Sequence, residues 1–330
     1  MFENLIEILK NNPRKIVLAD KPDPRVLEAA SRLQKDGFLS PILIGDAEEI
    51  NAVKGEFDIT GIEILNPENF EDMPKMIETM VELRKGKMTA DECADLLKTN
   101  NYFGTMLVKL GYADALLGGA TYSTADTIRP ALQIIKTKKG ANLVSSCFIM
   151  VKGEEILAMG DCAVNISYVD KKDKEGNVTL TAADQLAEVA IETAATAKAF
   201  GVEPKVAMLS YSTKGSGKGM NVDLVRNATA IAKEKAPDLA IDGEMQFDAA
   251  VSPEVGQLKF PGSPVAGYAN TFIFPEIQSG NIGYKIAARL GGYAAFGPIL
   301  QGLNAPINDL SRGCNAEEIY QMAIITAALA

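Results

Sequence analysis

The chain has 330 residues, 47% of them hydrophobic, and carries a formal net charge of −10 at neutral pH. This length predicts two domains, because domains usually hold about 100–200 residues, and the acidic balance without a basic tail disfavours nucleic-acid binding, which needs a clustered Lys/Arg face. No apolar run reaches the about 18 residues of a membrane span, and the acidic N-terminus lacks the basic region of a signal peptide. We therefore expect a soluble, cytoplasmic protein.

Short apolar runs bounded by Gly, Pro and polar residues predict strands, and they alternate with segments of helical periodicity. The predicted strands are Lys15–Ala19, Pro41–Gly45, Ile62–Leu65, Ala113–Leu117, Asn142–Val151, Ile156–Met159, Ala163–Ile166, Lys205–Leu209, Leu239–Ile241, Asn270–Phe274 and Ala294–Leu300. The predicted helices are Asp23–Lys35, Met73–Arg84, one opening at Thr89, Thr181–Phe200, Val222–Lys235, Asn281–Leu290 and Ala316–Leu329. This alternation predicts an α/β fold with doubly wound, mostly parallel sheets.

Local signals mark several of these boundaries. Thr89–Glu92 and Thr181–Asp184 have the spacing of a capping box, in which the first and fourth residues satisfy each other's backbone N–H groups. Lys152–Gly153 predicts a hairpin turn between two strands. The charged, glycine-containing segment Asp170–Asn177 predicts a solvated loop.

The sequence contains no histidine. Hydrolases of the Ser-His-Asp and Cys-His types are therefore excluded, and the commonest metal ligand is missing. The cysteines are scattered without a CxxC pair, so we expect free, mostly buried thiols rather than a zinc site or a disulfide framework. Proton transfer must fall to Asp, Glu, Lys, Tyr, Cys or the substrate. The four cysteines are Cys93, Cys147, Cys162 and Cys314.

The segment Gln301–Glu318 carries the densest group of reactive side chains. A predicted strand runs into a loop rich in Gly, Pro and Asn, and a helix is predicted to begin at Asn315. Polar groups in a loop between core elements favour function. These groups are a hydroxyl, a guanidinium, a thiol and two carboxylates: Ser311, Arg312, Cys314, Glu317 and Glu318.

Five stretches, in the expected order and spread over nearly the whole chain, resemble the phosphate acetyl/butyryltransferase family, and phosphate acetyltransferases in particular. The C-terminal stretch reads Pro-Ile-Asn-Asp-Leu-Ser-Arg-Gly-Cys. The five are Gly118–Pro130, Met208–Gly217, Asp242–Asp248, Gly280–Lys285 and Pro306–Cys314. Several long matches are a specific signal, whereas one alone would be weak.

The resemblance implies a two-domain α/β fold like that of isocitrate and isopropylmalate dehydrogenases. In similar proteins the second domain is inserted in the first, which here predicts domain I from residues 1–144 plus 298–330 and domain II from residues 145–297. It also implies an active site in the cleft between the domains and a homodimer. No linker in the sequence divides the chain by itself.

The turn that opens at Gly118 follows a strand and precedes a helix. Backbone N–H groups and the hydroxyls of Ser123 and Thr124 would suit an anion there, although a plain turn with either residue as N-cap explains the pattern too. The resemblance favours phosphate binding, with Arg129 reaching back to it. The residues alone leave Arg129 as an ordinary surface arginine. The spacing is not that of a dinucleotide fingerprint, which disfavours an NAD-dependent dehydrogenase.

Other basic residues have two interpretations. Ser210–Gly219 is a near miss for a Walker A loop, so an ATPase is rejected, and its lysines Lys214 and Lys218 suit either a phosphate-rich ligand or a mobile surface loop. The resemblance implies that Arg84 binds coenzyme A, and Lys285 is a similar candidate. From the sequence alone, Arg84 is a basic residue near a helix C-terminus.

The reaction that the resemblance implies is acetyl-CoA + phosphate ⇌ acetyl phosphate + CoA, by direct attack of the thiol in a ternary complex. Glu318 would take the thiol proton, Ser311 would position the sulfur and Arg312 would stabilise the phosphoryl charge. Similar enzymes have aspartate in place of Glu318, and the spacing from Asn315 to Glu318 also fits a helix cap. Coenzyme A, acetyl phosphate and phosphate are the expected partners, without intrinsic metal or cofactor.

The energetics favour substrate alignment over base strength. Proton transfer from a thiol of pKa about 8.5 to a glutamate of about 4.3 is uphill by roughly 6 kcal/mol. Alignment of two bound substrates can contribute about 7–11 kcal/mol. The alternatives are a ping-pong route through an acylated Cys314 or Cys162, a phosphate butyryltransferase or other acyl-phosphate transferase, and a CoA- or phosphate-binding module without turnover.

Overall fold

The computed structural model describes residues 2–330. The chain divides into two compact units, one made of the residues up to Lys139 together with Leu303–Ala330 and the other of Gly140–Gly302. Within residues 2–330, no helix is both long and apolar enough to cross a membrane. The predicted fold class, an α/β fold with one unit inserted in the other, is confirmed.

The elements alternate along most of the chain. The strands are β1 (Arg14–Leu18), β2 (Leu39–Ile44), β3 (Glu63–Leu65), β4 (Ala115–Gly118), β5 (Ser145–Lys152), β6 (Glu155–Gly160), β7 (Lys171–Lys172), β8 (Val178–Leu180), β9 (Lys205–Leu209), β10 (Ala240–Met245), β11 (Thr271–Ile273), β12 (Ala294–Gln301) and β13 (Ile307–Asp309). The helices are α1 (Phe2–Asn11), α2 (Pro24–Asp36), α3 (Ala47–Val53), α4 (Met73–Arg84), α5 (Ala90–Leu97), α6 (Asn100–Lys109), α7 (Thr124–Pro130), α8 (Ala182–Ala199), α9 (Met220–Lys235), α10 (Phe247–Val251), α11 (Pro253–Lys259), α12 (Ile277–Arg289) and α13 (Ala316–Ala328), with a π-helical turn at Ala131–Ile135 after α7.

The first unit is built on a five-stranded parallel sheet in the order β13-β4-β1-β2-β3. The last three residues of β1 and all four of β4 are buried because helices cover the sheet, as in other parallel sheets. Apolar side chains of α4, α5 and α6 pack with β1 and β4 into one core, which includes Met76, Phe103 and Leu116.

The strand β13 was missed in the sequence, which predicted a loop there. Its three residues, Ile307, Asn308 and Asp309, are all buried and pair with Leu116, Leu117 and Gly118 of β4. Asn and Asp are disfavoured in strands, and three residues are too few to show a period. Because β13 runs parallel to β4, the C-terminal loop begins at the same carboxyl end of the sheet as the turn after β4.

The second unit has a six-stranded sheet in the order β10-β9-β11-β6-β5-β12. Strands β10, β9, β11 and β6 are parallel, while β5 runs antiparallel to both β6 and β12. The predicted hairpin turn between β5 and β6 is confirmed, and the predicted solvated loop Asp170–Asn177 includes the short exposed strand β7.

One predicted strand, Ala163–Ile166, is wrong. The backbone N–H groups of Ala163, Val164 and Asn165 donate to the buried carboxylate of Asp161 at 3.0–3.2 Å instead of joining a sheet. A short acidic side chain offered the backbone a local alternative to strand pairing. By contrast, both predicted capping boxes are present, at the first turns of α5 and α8.

Candidate active site

Two loops leave the first sheet at neighbouring carboxyl ends and pack against each other. The first, residues 119–123, follows β4, and the second, residues 310–315, follows β13. The Leu310 N–H donates to the Gly118 carbonyl at 2.8 Å. Gly119 has φ +115°, and a Cβ there would collide with the Asp309 carboxylate and the Leu310 backbone. Only glycine allows this approach, so glycine at position 119 is required for the two loops to meet.

Arg25, on the first turn of α2, fastens the two loops together. Its Nη1 donates to the carbonyl oxygens of Cys314 at 2.7 Å and Arg312 at 3.0 Å, and its Nη2 donates to the carbonyl of Ala120 at 3.2 Å. The Asp23 carboxylate holds the guanidinium in this orientation through two bonds of 2.9 Å. Sequence analysis missed Arg25, because its main-chain partners lie 95 to 289 positions away in the chain.

Two buried carboxylates, Asp20 and Asp309, lie beneath the turn after β4. Asp20 accepts from the Thr121 N–H and hydroxyl, both at 2.7 Å, and from the Gly119 N–H at 3.3 Å. Asp309 accepts from the hydroxyl of Thr124 at 2.6 Å and from that of Thr127 at 2.5 Å. Both carboxylates are at least 95% buried.

Burial raises the pKa of both carboxyls. It brings the pKa of Asp309 to about 6; the threonine hydroxyls oppose the shift and the charge of Asp20 adds to it. The pKa of Asp20 also lies above its usual value because of burial, against the hydrogen bonds from Thr121. Asp20 could have been found from sequence, because it lies two residues after the end of β1, at the carboxyl end of the sheet. Asp309 could not, because β13 itself gave no signal.

The predicted phosphate-side residues lie on the same turn. Ser123 is the N-cap of α7 and donates its hydroxyl proton to Asp126 at 2.7 Å in a capping box. Thr124, the next residue, donates to Asp309. The Arg129 guanidinium is 60% exposed and lies 3.8 Å from Asp126. Ser123 thus caps α7, and its hydroxyl lies on the loop that follows β4.

Ser311 and Arg312 lie on the second loop and face solvent. The Ser311 hydroxyl oxygen accepts from the Gly313 N–H at 3.3 Å, and both residues are exposed. No hydrogen bond or ion pair engages the Arg312 guanidinium within residues 2–330, although its carbonyl accepts from Arg25. Arg25 thus fixes the main chain of Arg312, while the exposed guanidinium stays available for an anionic ligand.

Glu318 occupies the cap position that the spacing allowed. Its carboxylate accepts from the Asn315 N–H at 2.9 Å, and its own N–H donates to the Asn315 side chain at 2.8 Å, which completes a capping box on α13. The side chain is exposed at the loop end. Only one carboxylate oxygen of Glu318 takes part in this cap bond.

The basic residues proposed for coenzyme A are divided between the units. Arg84 ends α4 in the first unit, and its Nε is buried without a hydrogen-bond partner among the described residues. The charges of Arg129 and Arg84 both lower the pKa of Tyr102, against the larger effect of burial, which raises it. Lys285 lies on α12 in the second unit, over the ring of Tyr284.

The loop that resembled a Walker A motif is bonded internally. The Gly215 N–H donates to the Glu244 carboxylate at 2.7 Å, and the Gly217 N–H donates to the Ser212 hydroxyl at 2.8 Å. Lys214 lies over the ring of Phe260. N–H groups that a phosphate would need are already engaged, which agrees with the rejection of an ATPase.

Comparison with known proteins gives a consistent result. A family model described as "Phosphate acetyl/butaryl transferase" matches residues 1–327. The phosphate acetyltransferase of Bacillus subtilis (strain 168) is 51% identical over 332 residues, which cover 100% of this chain and 99% of that protein. The chain belongs to the phosphate acetyl/butaryl transferase family. The sequence-based assignment is thereby confirmed.

Solved structures agree with this family. A phosphotransacetylase from Streptococcus pyogenes superposes with a TM-score of 0.92 at 52% identity, covering 99% of this chain and 97% of that one. A branched-chain phosphotransacylase from Enterococcus faecalis V583 shares the fold, with a TM-score of 0.70 at 18% identity over 96% of this chain and 98% of that one. As a member of the phosphate acetyl/butaryl transferase family with such relatives, the chain is an acyltransferase, and phosphate acetyl transfer is its activity.

The cysteines of this family member are poorly suited to act as nucleophiles. All four are free and buried. Burial raises the pKa of Cys314 to about 11 although Arg25 lowers it, and burial also raises the pKa of Cys162 well above its usual value. A protonated thiol is a weak nucleophile, so the acyl-cysteine route has little support here.

Proposed function

We propose that the chain transfers acetyl reversibly between coenzyme A and inorganic phosphate, by direct attack of the thiol on acetyl phosphate. The observation that carries this proposal is the joining of the two loops at the β4 and β13 ends. Arg25 and the Leu310–Gly118 hydrogen bond hold the serine–arginine pair of one loop beside the hydroxyl-rich turn of the other.

Arg312 is the group best suited to the phosphoryl oxygens. Its guanidinium has no partner among residues 2–330, so binding an anion would break no existing ion pair. Charge-assisted bonds from arginine to phosphate are strong and are directional in two-pronged geometry. In this proposal Arg312 binds the phosphate and stabilises the charge that develops as the acetyl–oxygen bond breaks.

Ser311 and Glu318 serve the sulfur end. The Ser311 hydroxyl donates to or positions the sulfur, and the free oxygen of the Glu318 carboxylate takes the thiol proton. A glutamate already holding a capping hydrogen bond is a weak base, and so we assign most of the rate to alignment of the two substrates.

Arg84 and Arg129 form the second cationic group of the first unit. The Nε of Arg84 is buried without a hydrogen-bond partner among the described residues, the guanidinium of Arg129 is exposed, and both charges lower the pKa of Tyr102. Coenzyme A carries phosphates, so we propose that this pair binds the coenzyme, with Arg129 shared with the phosphate side. Ser123 and Thr124 complete the phosphate side, and Lys285 is proposed as a further contact to the coenzyme.

We propose a homodimer formed through α12. Ile282, Ile286 and Leu290 recur at four-residue spacing along this helix and its C-cap, and they are 58%, 53% and 85% exposed. Side chains four residues apart share one helix face, and an exposed apolar stripe of this kind is typical of an interface. The partner is a second copy of the same chain. We place the enzyme in the cytoplasm, where reducing conditions keep thiols free, and in acetate metabolism.

The direct test is formation of acetyl-CoA from acetyl phosphate and CoA by the purified protein. The wild type is expected to turn over, and Arg312→Gln is expected to lose at least about 100-fold in kcat, as loss of a charge-stabilising donor does elsewhere. Lys87→Gln, an exposed charge-neutralising change, is the control and should leave kcat unchanged. A wild type without turnover, or an Arg312→Gln variant as active as it, would contradict the proposal.

A further inference from the structure

The hydroxyl of Thr124 has its only proton committed to a buried carboxylate. Thr124 Oγ1 donates to Asp309 Oδ2 at 2.6 Å, and Asp309 is 99% buried with Thr127 on its other oxygen. A hydroxyl has one proton and two lone pairs. In this arrangement Thr124 can offer any further partner only lone pairs, and a fully ionised phosphate oxygen also offers only lone pairs. A bond between them therefore requires one more proton.

The reaction itself needs a proton at that end. When the CoA sulfur attacks the acetyl carbon of acetyl phosphate, the C–S bond forms, the C–O bond to phosphate breaks and its electron pair stays on the phosphate oxygen. The thiol proton leaves at the sulfur end. The departing phosphate would be a trianion unless it receives a proton as the bond breaks. A general acid that protonates the leaving oxygen avoids this build-up of charge.

We propose that Thr124 and Asp309 form a proton relay to the bridging phosphate oxygen. Protonated Asp309 donates to Thr124 Oγ1 while the Thr124 hydroxyl passes its own proton to the phosphate. Asp309 is left ionised and the product leaves as the hydrogen phosphate dianion. In the reverse direction, phosphate gives its proton to Thr124 as it attacks acetyl-CoA, and Asp309 receives the proton of Thr124. Asp309 and the base at the sulfur then each exchange one proton with solvent, so the balance closes.

This relay rests on the proposed function, because it requires phosphate at Thr124. Thr124 touches the substrate, whereas Asp309 acts through it and is a positioning residue. Thr127 donates to the other carboxylate oxygen of Asp309 and holds the carboxylate in place, but it takes no part in the proton transfer. Glycine at position 119 leaves this space free, because a Cβ there would collide with Asp309 Oδ1.

The charged groups around Asp309 are engaged elsewhere, whereas the Tyr122 hydroxyl is buried without a hydrogen-bond partner among the described residues. Asp20, after β1, accepts from Thr121 and Gly119. Asp126, on α7, accepts from Ser123, and the guanidinium of Arg25, on α2, is taken up by Asp23 and three carbonyls. Burial raises the pKa of the Tyr122 phenol well above its usual value, and the charges of Asp20 and Asp309 raise it further. Asp309 alone bonds to Thr124, and its pKa of about 6 suits a group that both gives and takes a proton.

The relay is tested with Asp309→Asn, Thr124→Val, the double variant and Thr127→Val as the matched control. Asp309→Asn and Thr124→Val should each lower kcat by about 10²–10⁴-fold, the usual contribution of general acid–base catalysis. The double variant should lose no more than the worse single variant, because the two residues act as one unit. Thr127→Val removes an equal hydrogen bond to the same carboxylate and should cost less than about tenfold.

The pH profile separates the relay from a merely structural role. Formation of acetyl phosphate needs ionised Asp309, so the wild-type kcat should fall as the pH drops through about 6, and this limb should be absent in Asp309→Asn. Thermal unfolding checks that each variant is folded; if Asp309→Asn does not fold, Thr124→Val alone must show the loss and the lost limb. An active wild type whose Thr124→Val and Asp309→Asn variants keep kcat within about threefold overturns the relay alone. An inactive wild type overturns the proposed function itself.

Discussion

The Arg25 guanidinium donates to the Cys314 carbonyl at 2.7 Å, and this bond spans 289 positions of the chain. The same group bonds the carbonyls of Arg312 and Ala120, so one side chain orients both loops of the site. The N–H groups of its guanidinium are taken up by these three carbonyls and by Asp23. Its role is to set where Ser311 and Arg312 lie.

Arg25→Gln should therefore lower kcat while leaving the protein folded. Hydrogen bonds from a charged donor contribute about 1.5–3 kcal/mol each, and a shorter neutral amide cannot reach three carbonyls, so a loss of at least about tenfold is expected. Arg32→Gln is the matched control on the same helix, because Arg32 pairs with Glu317 on the surface. Steady-state kinetics with both variants make the comparison. Equal effects of the two changes would contradict a loop-orienting role.

Glu318→Gln should affect rate less than Arg312→Gln does. Glutamine at this position can keep the capping box, so the helix start is retained and only the base is lost. Asn315→Ala is the complementary change: it removes the cap without touching the carboxylate and should cost about 1 kcal/mol of stability. Kinetics and thermal unfolding of the three variants separate the roles. A larger loss in Glu318→Gln than in Arg312→Gln would mean that the base dominates.

Turnover should survive removal of either candidate thiol. Cys314→Ala and Cys162→Ala are expected to keep kcat within about tenfold of the wild type, since a buried, protonated thiol is a poor nucleophile. Mass spectrometry after incubation with acetyl phosphate should find no acetylated cysteine. An acetylated, catalytically competent thiol would instead establish the ping-pong route.

Asp309 should make stability depend on pH. Its folded pKa of about 6 lies above the usual value of 3.8, so the ionised form is penalised above pH 6, and the penalty disappears as the pH falls below both pKa values. The full penalty is about 3 kcal/mol. Asp309→Asn removes it, so the variant's advantage in unfolding free energy over the wild type should shrink by about 1 kcal/mol between about pH 8 and pH 5.

In thermal unfolding, the difference in midpoint temperature between Asp309→Asn and the wild type should narrow by roughly 2–4 °C as the pH falls over this range. Asp95→Asn, at a carboxylate that is 77% exposed, is the control and should show no such pH-dependent difference. A constant difference between Asp309→Asn and wild type across this range would mean that Asp309 is not desolvated in the folded protein.

Ile286→Glu should convert the proposed dimer to a monomer. A charge placed in the middle of the α12 stripe would be buried without a partner in the interface, which costs several kcal/mol. Ile8→Glu, on α1, makes the same chemical change at another exposed isoleucine and should leave the assembly intact. Sedimentation velocity distinguishes the two states. A wild type that sediments as a monomer would remove the basis for this interface.

Much of the fold could be read from local patterns. The bounds of α4 were predicted to the residue, and Thr89 and Thr181 begin helices through the capping boxes that their spacing indicated. These features depend on neighbours three or four positions away, and so a linear pattern contains them. The strand predicted at Ala163–Ile166 was wrong because the backbone N–H groups there donate to the carboxylate of Asp161.

The candidate site was predictable only in part. Ser123, Thr124, Ser311 and Arg312 were predicted from polar motifs and from the family resemblance, and they lie on the two loops that pack together. Asp309 was quoted within its motif but given no role, since nothing in a short polar segment indicates that it is a buried strand. Its neighbours Thr124 and Thr127 are 182 or more positions away.

The sequence by itself determined the α/β alternation, the helix starts and the absence of histidine chemistry, because these follow from composition and from periodicities of two to four residues. Only the tertiary structure decided that β13 pairs with β4, and with it which loops meet. That pairing depends on backbone hydrogen bonds and burial between segments nearly 200 residues apart, and these have no local signature. The pKa of Asp309 follows from the same burial, so the property most relevant to its proposed role exists only in the folded chain.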